Sequence, residues 1–289
     1  VKADQFIVIM VSLLSSVSLL VIVSLGLALA FGMMGVINMA HGEFLMLGAY
    51  FTITAVNAGI VLPVAILISA IAMGGLGMVI ERIVLRQLYG RIWATMLATW
   101  GLSLLIVGVV QLVFGTSSNG IPTPLSTIHL GGYMLSQYSL VLIALAGVLI
   151  ATTYLVFART PYGTMARAAA SLPEMAAAVG INVSRVNMIT FGIASALAGL
   201  GGGLLAPLSG VSPTFGQGYI GDAFMTVVVG GASPLLGAST ASLLLGGIYA
   251  GVSNIVSPVA GTLALLLVSM LVLRFLPTGL TGLWRKARQ

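Results

Sequence analysis

Asn38, His41 and Glu43 are the only polar side chains in the run Gly35-Val-Ile-Asn-Met-Ala-His-Gly-Glu43, which lies between two long apolar stretches. An ionisable residue at membrane depth is expensive and points by default to function. A helix broken at such a place also aims backbone N–H groups and a positive dipole end at whatever passes. The same residues read as well as a cytoplasmic loop, with Asn38 capping and Glu43 in the first turn of the next helix. A second run, Phe215-Gly-Gln-Gly-Tyr-Ile-Gly-Asp222, places Gln217 and Tyr219 to meet an entering solute, while Asp222 either joins them or caps the following helix. A third, Gly230-Gly-Ala-Ser-Pro-Leu-Leu-Gly237, marks a turn between two short apolar segments. Thr99 and Gln111, on another apolar stretch, complete a candidate translocation pathway of Asn38, His41, Glu43, Thr99, Gln111, Gln217, Tyr219 and Asp222. Asn38, Thr99, Gln111 and Gln217 are the donors and acceptors that a neutral amide such as urea requires. A zwitterion instead needs a half-helix N-terminus for its carboxylate and an apolar pocket.

Other chemistries find little material. There is no cysteine, so thiolate metal sites, disulfides and a thiol nucleophile are excluded, and His41 and His129 are the only histidines. No metal site is expected. Lys2 and Lys286 are the only lysines and neither follows glycine, so the chain has no P-loop and no cofactor of its own. Gly201-Gly-Gly-Leu-Leu-Ala206 matches a dinucleotide fingerprint, with Asp222 at about the right distance. The preceding Phe191–Leu200 is Ala-rich and helical rather than a strand, so Gly199 and Gly203 read as a helix-packing face, as do Gly247 and Gly251. An intramembrane enzyme would have only His41 and Glu43 as a close acid–base pair, and the expectation is no enzyme.

The elements that position these residues follow from the solvent. Of 289 residues, 59% are hydrophobic and 6% charged, against about a quarter charged in a soluble domain. Such a chain is solvated by lipid, where the backbone satisfies itself in helices or a closed barrel. The long continuous apolar runs choose helices. Spans are predicted over 6–31, 42–57, 60–80, 94–114, 138–157, 187–207, 221–233, 237–255 and 259–276, of which 42–57 and 221–233 are short. The fold class is an all-α polytopic membrane protein with about 8–10 transmembrane helices, interrupted short helices and two weakly similar halves. Residues 1–289 read as a single transmembrane domain. Val1–Phe31 imitates a signal peptide, but its apolar run is too long for one.

The net charge of +6 speaks to topology rather than nucleic acid, because the basic residues are few and dispersed. Glu81, Arg82, Arg86 and Arg91 follow the third span. Arg159, Arg167, Glu174 and Arg185 separate the fifth from the sixth, and Arg274, Arg285, Lys286 and Arg288 lie at the end. This count puts all three groups on the cytoplasmic side and the N-terminus, with Lys2 and Asp4, outside. Segment 158–186 contains a short Ala-rich helix, with Ser171 as its cap, Pro173 and Glu174 in its first turn and Gly180 as its stop. It reads either as a docking element or as a surface helix without a partner.

The run Phe31-Gly-Met-Met-Gly-Val-Ile-Asn-Met-Ala-His-Gly-Glu43 resembles the signature of the permeases of branched-chain amino-acid and urea ABC importers. Arg167–Val183, Gly216–Asp222 followed by Val227-Val-Val-Gly-Gly231, and Phe275-Leu-Pro-Thr-Gly-Leu-Thr-Gly-Leu283 are similar to further elements of that family, in the same order. Leu88-Tyr-Gly-Arg91 and Thr95–Ser103 look more like the urea and short-amide permeases, although the N-terminal domain carried by many of those is not expected from these residues and Phe114–Gly131 fits no family pattern. The resemblance implies a permease subunit in the bacterial inner membrane that translocates urea, a short amide or, alternatively, a branched-chain amino acid. An ATP-independent channel or carrier is the remaining alternative. The implied partners are a second homologous permease, two ATP-binding subunits that hold the ATP, a periplasmic solute-binding protein and the lipid bilayer. By position, Ala166–Gly180 would be the coupling helix, with Arg167, Glu174, Ala177 and Gly180 its contact residues.

Overall fold

The structure is a computed structural model that describes residues 3–130, 133–231 and 233–282. Lys2, Arg285, Lys286 and Arg288, used above for topology, lie outside the described residues, as does the side chain of Asp4. The helices are α1 (Ala3–Met34), α2 (His41–Asn57), α3 (Leu62–Ile83), α4 (Ile92–Phe114), α5 (Gln137–Arg159), α6 (Pro161–Ser171), α7 (Pro173–Ala178), α8 (Val183–Leu205), α9 (Gln217–Gly230), α10 (Pro234–Ile255) and α11 (Pro258–Phe275). The fold is all-α and polytopic. Among the described residues α1, α3, α4, α5, α8, α10 and α11 are long and apolar enough to cross a membrane. The two helices expected to be short, α2 with 17 residues and α9 with 14, are short.

Helix starts follow local chemistry. Helices α3, α6, α7, α10 and α11 carry proline in the first turn, where a missing N–H costs nothing. Thr160, Asn182 and Ser257 cap α6, α8 and α11 by accepting backbone N–H bonds. Gly180, at φ +91°, ends the α7 region in the left-handed conformation expected of it.

The chain divides into two compact units. One contains residues 25–122 and 152–221. Its core is α2, α3 and α8, with α3 lying along α8. A Cβ at Gly48 would fall 2.5 Å from the Gly199 Cα, so α2 and α8 touch backbone to backbone. Gly199 and Gly203 therefore serve as packing glycines inside α8, and no dinucleotide turn exists there. The outer face of α4 is apolar and bare, Leu112 being 88% exposed, as a lipid-facing surface requires. The other unit contains residues 1–24, 123–151 and 222–289. Leu20, Val229, Ala241, Leu245 and Leu265 form its core. In the middle of α10 it is Gly246 that packs, against Val17 of α1. Gly247 and Gly251 meet no described atom within 4 Å, so the expected packing face at those two residues is corrected by one position.

Two elements escaped the sequence reading. Strands β1 (Thr127–Leu130) and β2 (Tyr133–Ser136) form an antiparallel hairpin with Ile128 opposite Leu135. The β-rich tetrapeptides around Gly131-Gly132 are a hairpin signal. His129 is exposed on β1. The expected single helix over 166–180 is two, because α6 starts at Pro161 and ends before Leu172, which precedes Pro173. Leu172, not Ser171, occupies the cap position of α7, and no side chain bonds there.

Candidate functional site

The break between α1 and α2 folds back along α1. A Cβ at Gly26 would stand 3.1 Å from His41 Cε1. Gly26 precedes the end of α1 by eight residues, about 12 Å of helix. The His41 ring thus reaches α1 two turns before its end, so the start of α2 lies alongside the last third of α1. Thr99, one turn further along α4 than Thr95, holds it there. Its hydroxyl accepts the Met39 N–H at 3.0 Å and lies 3.3 Å from the Ile37 carbonyl. Asn38 is buried and its Oδ1 accepts the Ala40 N–H at 3.1 Å. It closes the turn before α2 and does not cap the helix, whose cap position is Ala40.

His41 and Glu43 are both buried in the first turn of α2. Glu43 is 3% exposed and bonded by Ser103 of α4, a partner absent from the sequence reading. Its Oε2 has no hydrogen-bond partner. A carboxylate in the first turn suits the helix dipole. A carboxylate oxygen buried without a donor is costly, which marks the position as one held for more than packing.

The second motif meets the first at a pair of glycines. A Cβ at Gly42 would come 2.8 Å from the Gly216 carbonyl carbon, so the entry to α2 and the entry to α9 are in backbone contact. Gln217 opens α9 and is exposed, and Tyr219, half-buried, stacks at 5.1 Å from Phe215. Asp222 is the sixth residue of α9 and its carbonyl accepts the Thr226 hydroxyl at 2.7 Å. It is helix interior, and the capping alternative for it is corrected. Gln111 stands apart. It is exposed on α4, twelve residues beyond Thr99, about 18 Å along the helix. The structure thus gathers Asn38, His41, Glu43 and Thr99 around the break, with Gly216 bringing the start of α9 to it, and leaves Gln111 outside. Asn38 and Thr99 bond the backbone, so the four donors and acceptors read for a neutral amide do not converge.

The third motif forms the other break, between α9 and α10. Gly230 and Gly237 touch through their backbones, and Gly231 has φ +80°. Thr281, unmarked in the sequence reading, spans it. Its hydroxyl donates to the Gly230 carbonyl at 2.7 Å and accepts the Ser233 N–H at 3.1 Å.

On the charged side of the span, Arg167 turns back on its own chain, bonding the Phe157 carbonyl and Thr164. Glu174 and Ala177 are exposed, whereas Ala176 is buried. Leu172, Met175 and Val179 form an exposed apolar stripe, Val179 being 76% exposed. Tyr162 anchors α6 on α8 through Thr190 at 2.8 Å, and burial raises its phenol above the usual range. Glu81, read above as a loop charge, is wholly buried in the last turn of α3.

The comparisons agree with one another. A family model described as the permease component of branched-chain amino acid transport systems matches residues 9–277. The chain is similar to the probable branched-chain amino acid transport permease protein LivH of Methanocaldococcus jannaschii, at 26% identity over 94% of this chain and 91% of the relative. It is also similar to the high-affinity branched-chain amino acid transport system permease protein BraD of Pseudomonas aeruginosa, 27% identical over 90% and 91%. The high-affinity permease protein LivH of Escherichia coli K12 is 28% identical over 97% of both chains. No solved structure matches. With the spans, the re-entrant break and a family match over almost its whole length, the chain belongs to the family of permease components of branched-chain amino acid transport systems, and is a multi-pass membrane transport subunit.

Proposed function

We propose that the chain is the transmembrane subunit of an ATP-binding-cassette importer for branched-chain amino acids, in a bacterial inner membrane. The observation that carries the transport reading is the break at 35–40, with Val36, Asn38 and Ala40 buried, clasped by Thr99 and joined through Gly42 and Gly216 to the entry of α9. Short helices that start inside a span are where carriers bind polar solutes. The substrate class comes from the relatives, each named for branched-chain amino acids. A half-helix N-terminus in apolar surroundings also suits a zwitterion with a hydrocarbon side chain. Urea or a short amide is the second reading. It rests on the resemblance of 88–91 and 95–103 to the urea permeases, and the scattered placement of Gln111 weakens it.

The transport domain covers residues 1–289, with 158–186 as the cytoplasmic coupling segment. Leu172, Met175 and Val179, with Glu174 beside them, supply a face that two ATP-binding subunits would grip, and Gly180 ends it. Arg167 holds this element to α5. A periplasmic binding protein would deliver solute, and a second homologous permease would complete the pathway. ATP belongs to the partner subunits.

The test is purification from native membranes followed by reconstitution in liposomes. We expect ATP-binding subunits and a second permease to copurify, and ATP-driven leucine uptake that a large excess of urea does not displace. Urea uptake without leucine uptake would move the substrate to the second reading. Solute movement by the chain alone, without ATP, would replace the importer by a channel or carrier.

A further inference from the structure

One buried polar cluster is used by none of the foregoing. Glu81 is 0% exposed. The Tyr89 hydroxyl donates to its Oε1 at 2.6 Å, and the Arg86 guanidinium lies 3.5 Å from Oε2. The Asn187 amide of α8 is aimed at the same Tyr89 hydroxyl. Burial first, and the Glu81 carboxylate second, hold the Tyr89 phenol well above its usual range, so it remains a donor at any physiological pH. These residues tie the end of α3, the turn that follows it and the start of α8 into one polar unit.

The cluster borders a cavity of about 360 Å³ whose wall includes Met33, Gly35, Tyr89, Ala169, Pro173 and Asn187. The wall thus contains the first residue of the break, the tyrosine, and both helices of the coupling segment. Gly35 and Gly90, also on the wall, have φ +64° and +78°, the left-handed conformation typical of chain turning points. Any inward movement of α6 and α7 closes this space and presses on Tyr89 and Gly35.

We propose that Glu81, Tyr89 and Asn187 form a strut, and that Tyr89 is the positioning residue through which movement of the α6–α7 segment reaches the break at Gly35–Ala40. The role rests on the coupling reading above. A hydroxyl held by a buried carboxylate on one side and by α8 on the other keeps the turn at a fixed distance from both helices. The push from α6 and α7 then goes to the break instead of being absorbed by the turn.

The experiment uses the complete importer in liposomes, with loaded binding protein, and reads solute uptake and ATP hydrolysis together. The wild-type complex separates the two ideas: if its uptake ignores ATP, the coupling reading fails on that result, whatever the variants do. If uptake is ATP-driven, Tyr89→Phe is expected to lower uptake per ATP hydrolysed about tenfold, the scale of one lost hydrogen bond to a carboxylate. Copurification of the ATP-binding subunits should be unchanged. Asn187→Ala should behave alike, and the double variant no worse than the poorer single one. Wild-type uptake per ATP in Tyr89→Phe would overturn the strut. Parallel loss of assembly, hydrolysis and uptake in both variants would also overturn it, showing residues that only support folding.

Discussion

The two breaks in the helices, each within its own unit, are built on one device and furnished differently. At 35–40 the hydroxyl of Thr99 receives one backbone N–H and faces one carbonyl across the break. At 231–233 the hydroxyl of Thr281 does the same. Threonine suits the task because one oxygen both donates and accepts: Thr281 serves an N–H and a carbonyl of its break, while the one Thr99 proton is shared between the Ile37 carbonyl and the Met96 carbonyl of α4 at 3.0 Å. Around the first break stand Asn38, His41 and Glu43, all buried. The described residues of the second, Gly231 and Ser233, carry no ionisable group. The comparison separates two tasks. Breaking the path of a helix here takes glycine and a hydroxyl, whereas the additional polar residues at the first break are the ones the proposed function would use on a solute.

The largest effect is expected at Gly42 and Gly216. Valine at either would drive a side chain into facing backbone, costing about 3 kcal/mol, the upper part of the range for overpacking. Thermal unfolding in detergent and loss of uptake would register it. Next come the clasps. Thr99→Val removes the acceptor of the Met39 N–H, and Thr281→Val the partner of both the Ser233 N–H and the Gly230 carbonyl, at about 1–3 kcal/mol, and Thr→Ser should restore both. A valine variant with unchanged stability at one site would break the equivalence of the two. Glu43→Gln sharpens the contrast between support and chemistry. Removing a buried carboxylate oxygen without a partner should leave stability within about 1 kcal/mol or raise it, while uptake falls at least about tenfold as for loss of a functional group. Equal stability with normal uptake would return Glu43 to a packing role. The smallest effect is expected from Gly247→Ala, within about 0.5 kcal/mol, because nothing described lies within reach of the added methyl.

Hydropathy made the helices legible. All nine expected spans coincide with helices to within a few residues, because the demand that lipid places on a backbone is written in every apolar run. The short length of α2 and α9 was legible for the same reason. Placement was not. That the start of α2 folds back beside α1 depended on Gly26 and Thr99, residues far along the chain whose proximity no local pattern encodes. Glu81 shows the same gap in reverse: a charge at the end of an apolar run reads as exposed, and only Tyr89 folding back over it makes it buried. Thr281 and Ser103 carried no signal, since single hydroxyls are common in membrane helices. The hairpin at 127–136 did carry one, in β-rich tetrapeptides around Gly131-Gly132, and was missed in a search for apolar runs.

The packing of α2 and α3 against α8 also bears on how the protein is made. Gly48 and Ser69 wait for Gly199, yet 125 residues separate the end of α2 from the start of α8. At ribosomal speeds of about 5–20 residues per second, that is an interval of roughly ten seconds. During it α2, too short to hold the bilayer firmly and burdened with His41 and Glu43, has an incomplete home. Biogenesis therefore should favour retention of the early helices beside the insertion machinery until α8 emerges, and a chain truncated before residue 183 should be a substrate for membrane quality control.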